Sequence, residues 1–351
     1  MNFSLSLLFR AIPLVMALIC LALGFYVSGG GSDADHFLAG NVLVSLASIC
    51  FALFCTAATI IRQLVGSYAP MWRWVLPVAG YAVAGATAIY GLSLISGATT
   101  AAGFVAGHVI VGVGLITACV ATVATASTRF TLIPLNSHSQ PGAPVPVGAH
   151  SASAAMLMMA VPAVCGVVAY AWALLLLGQS GSAPHYVAGH VLGGLAAICV
   201  SLIALVAAVA RQIRNQFSER ERYLWPWLVV AMGALNIFWG GAVLLGADGP
   251  VRIAPGFVLI GLGLICFSIL SKVMLLSLVW RQIFPLASRV PLIPVGTALA
   301  CLFLAAFLFE AAVSDVAFFV PARVMVGLGA VCFTLFSIVS VLEAGTSGQS
   351  S

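Results

Sequence analysis

The chain is 351 residues long, 63% hydrophobic and only 6% charged, with a formal net charge of +5 and a mean hydropathy of +1.19. A soluble domain carries about 25% charged residues, so this chain lacks the polar surface that a water-facing fold requires and reads as a membrane protein. Soluble enzymes, nucleic-acid binders and secreted disulfide scaffolds are excluded on the same grounds.

Apolar runs able to cross a bilayer, which takes about 20 residues of helix, fall at roughly residues 11 to 28, 38 to 61, 73 to 95, 103 to 126, 154 to 178, 187 to 210, 224 to 246, 254 to 280, 290 to 312 and 318 to 342. The pattern predicts an all-α polytopic fold of ten transmembrane helices. The first run lacks a small-residue cleavage site and is expected to be a permanent helix rather than a secretory signal. Residues 1–127 hold the first four spans and residues 154–345 the other six. Between them, residues 128–153 are rich in Pro, Gly and Ser (QPGAPVPVGAHSAS) and read as a flexible cytoplasmic linker. His138 and His150 within it read as solvated polar residues.

Short loops rich in arginine stay on the cytoplasmic side. Arg10, Arg62, Arg73, Arg129, Arg211, Arg214, Arg220, Arg222, Arg281 and Arg289 gather at one set of alternate helix ends. Arg252 and Arg323 lie at the other set, together with Asp33, Asp35, Asp248 and Asp315. Both termini are therefore expected to be cytoplasmic, and the net positive charge is explained by anchoring at anionic lipid. All nine cysteines fall inside predicted spans with no CxxC among them, so they read as small apolar packing residues.

The segments AGNVLVSLASIC from Ala39, AGHVIVGVGLIT from Ala106, AGHVLGGLAAIC from Ala188, PGFVLIGLGLIC from Pro255 and PARVMVGLGAVC from Pro321 align with one another. Each opens the second helix of a hairpin whose first helix carries a proline: Pro13, Pro77, Pro162, Pro226 or Pro294. The chain thus reads as five parallel two-helix hairpin repeats. Aligned small residues (Ser45, Gly112, Gly194, Gly261, Gly327) mark the second helices as inner and closely packed, because small side chains let backbones approach in lipid. The more aromatic first helices are expected to face lipid.

One aligned position carries Asn41, His108, His190, Phe257 and Arg323, four polar residues of five, just inside the extracytoplasmic end. Two arrangements satisfy this pattern. The inner helices surround one axis and the set forms an outer-mouth ring, as in pores that select ions, or they form a solid bundle whose polar ends meet only headgroups and water. His36 and His185 lie a few residues upstream of the aligned position. Histidine changes charge between about pH 5 and 8, and these four histidines admit three readings: a pH-sensing gate, interfacial polar residues, or a metal or haem site.

Lys272 is the only lysine and lies within the eighth span. An ionisable group at that depth is by default a functional candidate, unless its side chain snorkels to the surface. Glu343 is placed to pair with it, and Glu310 with Arg323. No nucleophile elbow, HExxH or phosphate-cradling glycine loop occurs, so neither catalytic nor metal residues are assigned and the chain is expected not to be an enzyme.

The segments HYVAGHVLGGLAAIC from His185, SKVMLLSLVWR from Ser271 and VGLGAVCFTLFSIVSVLEAG from Val326 resemble the YhiM family of bacterial inner-membrane proteins, over nearly the full chain and least around residues 128–153. The resemblance implies a ten-span protein of the bacterial inner membrane, associated with acid resistance and without an established activity, and gives the segment Pro184–His190 acid-stress relevance. Asn41 departs from the pattern, leaving any histidine ring incomplete.

Three functions compete. The first is a pH-gated channel or transporter for a small anion or solute, whose outer mouth becomes cationic in acid. The second is a non-transporting acid-stress sensor or scaffold acting through inward loops such as SERERY, Ser218 to Tyr223. The third is a haem- or quinone-linked redox protein. The bilayer is the one partner expected, nucleic acid is not, and the oligomeric state is left open.

Overall fold

The computed structural model describes residues 3–64, 72–130, 144–246, 249–279 and 289–347. Among them ten helices are long and apolar enough to cross a membrane: α1 (Phe3–Gly29), α2 (Ala34–Leu64), α3 (Val75–Ser96), α4 (Ala101–Ser127), α5 (Ala152–Leu177), α6 (Ala183–Ile213), α7 (Glu219–Leu245), α8 (Ile253–Met274), α9 (Leu292–Ala311) and α10 (Phe319–Ser347). The protein is thus a multi-pass, all-helical membrane protein. A 3₁₀ turn leads into α8 (Gly249–Arg252) and another into α10 (Val316–Phe318), while α8 runs on into a π-helical turn (Leu275–Val279). Local chemistry sets several starts. Thr100 caps the Gly103 amide, and Ser218 and Glu221 form a capping box that opens α7. Ser218 to Tyr223 is thus the beginning of a helix rather than a loop, and Glu221 pairs with Arg211 at 3.0 Å.

Each odd-numbered helix packs mainly on the even-numbered helix that follows it. The even helices pack on one another in a closed circuit, α2 on α4, α4 on α6, α6 on α8, α8 on α10 and α10 back on α2. The odd helices sit outside, each also touching the preceding even helix, with α1 against α10. The division follows composition. Phe25, Tyr26, Val164, Leu175, Trp227, Phe238, Phe303 and Phe307 on the odd helices are exposed to the lipid, while the even helices are buried over most of their length.

In lipid the helices gain nothing from hiding apolar surface, so close contact and interhelical hydrogen bonds hold them together. Within hairpins, backbones meet at Gly40 and Gly24, at Gly107 and Gly91, and at Gly256 and Gly240, where a Cβ on any of the first four or on Gly240 would fall within 3 Å of the facing carbonyl. Between helices, Ser48 bonds Thr117 at 2.9 Å, Ser268 bonds Thr297 at 2.5 Å, and Asn236 donates to the Gly194 carbonyl at 3.1 Å.

Candidate functional site

The inner helices face their common axis with a strip that, after a first step of four, is spaced alternately four and three residues. On α2 it reads Leu38, Val42, Leu46, Ile49, Leu53, Thr56, and on α8 it reads Ala254, Val258, Leu262, Ile265, Ile269, Lys272. This is the heptad seam of a coiled coil, and the parallel helices bring equivalent positions to the same height. Val42, Val109, Val191, Val258 and Val324 make one aliphatic layer, and Ile49, Ile116, Ile198, Ile265 and Val331 another. The axis is narrow. At the end where the even helices begin, a void of about 30 Å3 is walled by nine valine and leucine side chains and Ala254, two residues from each helix. Deeper in, a void of about 20 Å3 has Thr56 and Lys272 as its polar wall. A single water needs about 10–15 Å3 and at least two polar partners, so the layers shut the axis to a hydrated ion.

Lys272 is 2% exposed, and its Nζ has no hydrogen-bond partner among the described residues. It does not snorkel. Thr56 lies at the same level, donating to the Ala52 carbonyl at 3.0 Å and keeping its oxygen lone pairs for an incoming donor. The π turn begins three residues beyond Lys272, and such turns inside α-helices cluster at functional sites. The side chain of Glu343 lies outside the described residues. Glu310 is exposed on α9, and Arg323 turns elsewhere, over the Phe319 and Phe309 rings and onto the Phe319 carbonyl at 3.0 Å.

The structure separates the aligned polar set from the axis. Asn41 precedes the axis-facing Val42, and one residue turns a helix by about 100°, which aims Asn41, His108, His190, Phe257 and Arg323 away from the axis. Each polar member folds back on the carbonyl four residues earlier: Asn41 on Phe37 at 2.8 Å, His108 on Phe104 at 2.7 Å, His190 on Tyr186 at 2.8 Å. Three of them then meet an aromatic ring of the next hairpin. Tyr90 on α3 donates to Asn41 at 2.5 Å, Trp172 on α5 lies 5.1 Å from His108, and Trp239 on α7 lies 5.6 Å from His190. Phe257 lies 6.3 Å from Phe318. Of the two arrangements open to the sequence, the polar outer-mouth ring is not formed, and the axis at this end is lined by the aliphatic wall.

His36 and His185 occupy equivalent rim positions, and each leans on the preceding inner helix, His36 on Phe319 at 4.5 Å and His185 on Phe104 at 4.6 Å. His36 Nδ1 lies 2.8 Å from Asp33, and hydrogen bonds from the His36 amide and ring hold the Asp33 carboxyl below the usual carboxylate range. His185 also meets Ser182 at 3.2 Å. Among the described residues no three His, Cys, Asp or Glu side chains gather as a metal-ligating group.

At the opposite end His150 departs from the expectation of a solvated linker residue. It is buried, donates from Nε2 to the Ala126 carbonyl at 3.0 Å, and offers its own carbonyl to Arg214 at 2.5 Å. Arg129 reaches the Gly148 carbonyl at 2.6 Å. Burial, reinforced by Arg129, Arg73 and Arg214, lowers the His150 pKa against the opposing pull of the Ala126 hydrogen bond. His138, Asp248 and Arg281 lie outside the described residues. The axial seam was the signal that sequence reasoning passed over. It sits one residue away from the polar column, in the same aligned segments.

A family model described as Protein of unknown function (DUF2776) matches residues 1–347. The chain is similar to the Inner membrane protein YhiM of Escherichia coli (strain K12), 50% identical over 348 residues that cover 99% of each chain. No solved structure matches it.

Proposed function

This chain belongs to the family described as Protein of unknown function (DUF2776) and is kin to YhiM, and from that premise we propose that it is a pH-responsive channel or transporter for a small anion or solute in the bacterial inner membrane, serving acid stress. Both termini are assigned to the cytoplasm, and the chain acts without catalytic residues or a haem. The observation that carries the reading is Lys272, an unpartnered amine facing the axis of a closed helical ring. Removing a charge from water without a partner costs several kcal/mol. Intramembrane ionisable groups are tolerated where they serve a substrate path, and the complement of an unpaired ammonium is an anion. The aliphatic layers are the shut gate of that path. The pH response falls to His108 and His190, wedged between the ring and the tryptophans of the neighbouring hairpins, because a proton there changes how the ring is held.

A second reading, a non-transporting acid-stress sensor or scaffold, draws on the tightness of the axis, whose deeper void is about 20 Å3. Anion and solute flux into proteoliposomes at external pH of about 5 and about 7.5 separates the two. Acid-activated flux that disappears in Lys272→Met supports the path. A silent protein across a broad panel at both pH values leaves the sensor.

A further inference from the structure

From the placement of Lys272 behind uncharged aliphatic layers, we propose that the substrate is a small weak acid of the monocarboxylate class, drawn to the axis as an anion and passed through the layers as the neutral acid, one proton with each anion. This rests on the pathway reading above and names its substrate. Two requirements meet at this site. Among the described residues the amine lacks any partner, the rest of its cavity wall is aliphatic except for Thr56, and no other ionisable side chain lines that wall. When protonated, it therefore attracts an anion that no described side chain neutralises.

From Leu38 to Ile269 the way is walled by aliphatic side chains, and the Born cost of a bare ion in such surroundings is tens of kcal/mol. A chloride ion attracted to Lys272 has no way through. A carboxylate has one. In a low-dielectric site, a carboxylate and an ammonium held together lower their energy by moving the proton, because the charged forms are the ones that desolvation penalises. The step balances as R–COO⁻ + H₃N⁺–Lys272 → R–COOH + H₂N–Lys272: one N–H bond breaks, one O–H bond forms, and the amine then takes a proton from water on the side of entry. The Thr56 hydroxyl oxygen accepts from the amine or the new acid. No net charge crosses the layers, so they select for a species that can shed its charge.

The test uses the full chain in vesicles holding a pH-sensitive dye, with formate and chloride as probes and the voltage clamped by a potassium gradient and ionophore. The expected result is formate entry above that of protein-free vesicles, with matching internal acidification and a rate indifferent to voltage. Lys272→Met abolishes it. Lys272→Arg abolishes it too, because a guanidinium keeps the charge but does not release its proton. Monodisperse elution of both variants in detergent shows that they fold. A voltage-driven chloride or formate current lost in Lys272→Met overturns the weak-acid inference and leaves the pathway intact, as does full activity of Lys272→Arg. Vesicles that pass neither probe remove the pathway itself.

Discussion

Lys272 stands where its neighbours at the same height are Thr56, Val123 and Leu205, so a hydrocarbon side chain is the simpler structural solution. A desolvated charge without a partner carries a penalty of several kcal/mol, which a well-packed apolar side chain removes. Lys272→Met is expected to raise the thermal unfolding midpoint in detergent while ending transport, and a lowered midpoint would mean that the amine serves packing instead. His150 carries the complementary argument at the other end of the bundle. Its pKa is depressed when docked and returns toward 6.5 when the segment lifts off, so the lifted state binds more protons. Docking is fully present above about pH 6.5 and weakens as pH falls through that value toward the depressed one. Hydrogen exchange of residues 144–151, corrected for intrinsic rate, should accelerate at pH 5.5 relative to 7.5, and His150→Gln, which still donates to Ala126, should abolish that difference. Lys272 is legible in the sequence because one charge in an apolar span needs no context. The burial of His150 is not, since it depends on the Ala126 carbonyl of α4 and on Arg73, Arg129 and Arg214 beside the ends of other helices.

Between residues and bundle stands the helix, and here the small-residue column has a defined partner. Gly112, Gly194 and Gly327 each receive two leucines of the next inner helix, and Gly261 receives Leu328 and Met325. A Cβ on Gly194 would fall 2.6 Å from Leu259 and 2.8 Å from Leu262, and one on Gly327 would fall 2.6 Å from Leu46. Leu46, Leu195, Leu262 and Leu328 also line the axis, so what fills the glycine notch decides where the leucine goes. Gly194→Ala is expected to push the Leu262 methyls toward the axis, slowing flux several-fold at little cost in stability, because the tip of a flexible side chain yields more easily than backbone. Equal loss of flux and unfolding temperature would instead mark the notch as packing alone. The spans themselves are readable from hydropathy, because lipid demands a continuous apolar helix. The direction each face points is harder. The eye goes to Asn41, His108, His190 and Arg323 because polarity stands out, while the true axial strip is aliphatic and resembles any other part of a membrane helix. The π turn after Lys272 leaves no mark in the residues Leu275–Val279.

At the scale of the molecule, the aligned segments predict equivalent hairpins but say nothing of how they close, which depends on the angle added by each helix contact. The closing contact is α10 on α2, where Thr334 donates to the Cys50 thiol at 3.6 Å, a pair 284 residues apart in the chain. Thr334→Cys in a Cys20→Ala background, which frees Cys50 from its neighbouring thiol, should oxidise under copper phenanthroline to a species of increased mobility on non-reducing gels. Unchanged mobility would argue that the ring is open in the membrane. Closure has one more consequence. Because α1 already lies against α10, the order in which the hairpins are synthesised is a convention of the gene rather than a demand of the architecture. A circularly permuted polypeptide, with α10 spliced to α1 and a new start placed between α4 and α5, would keep every helix beside the same neighbours.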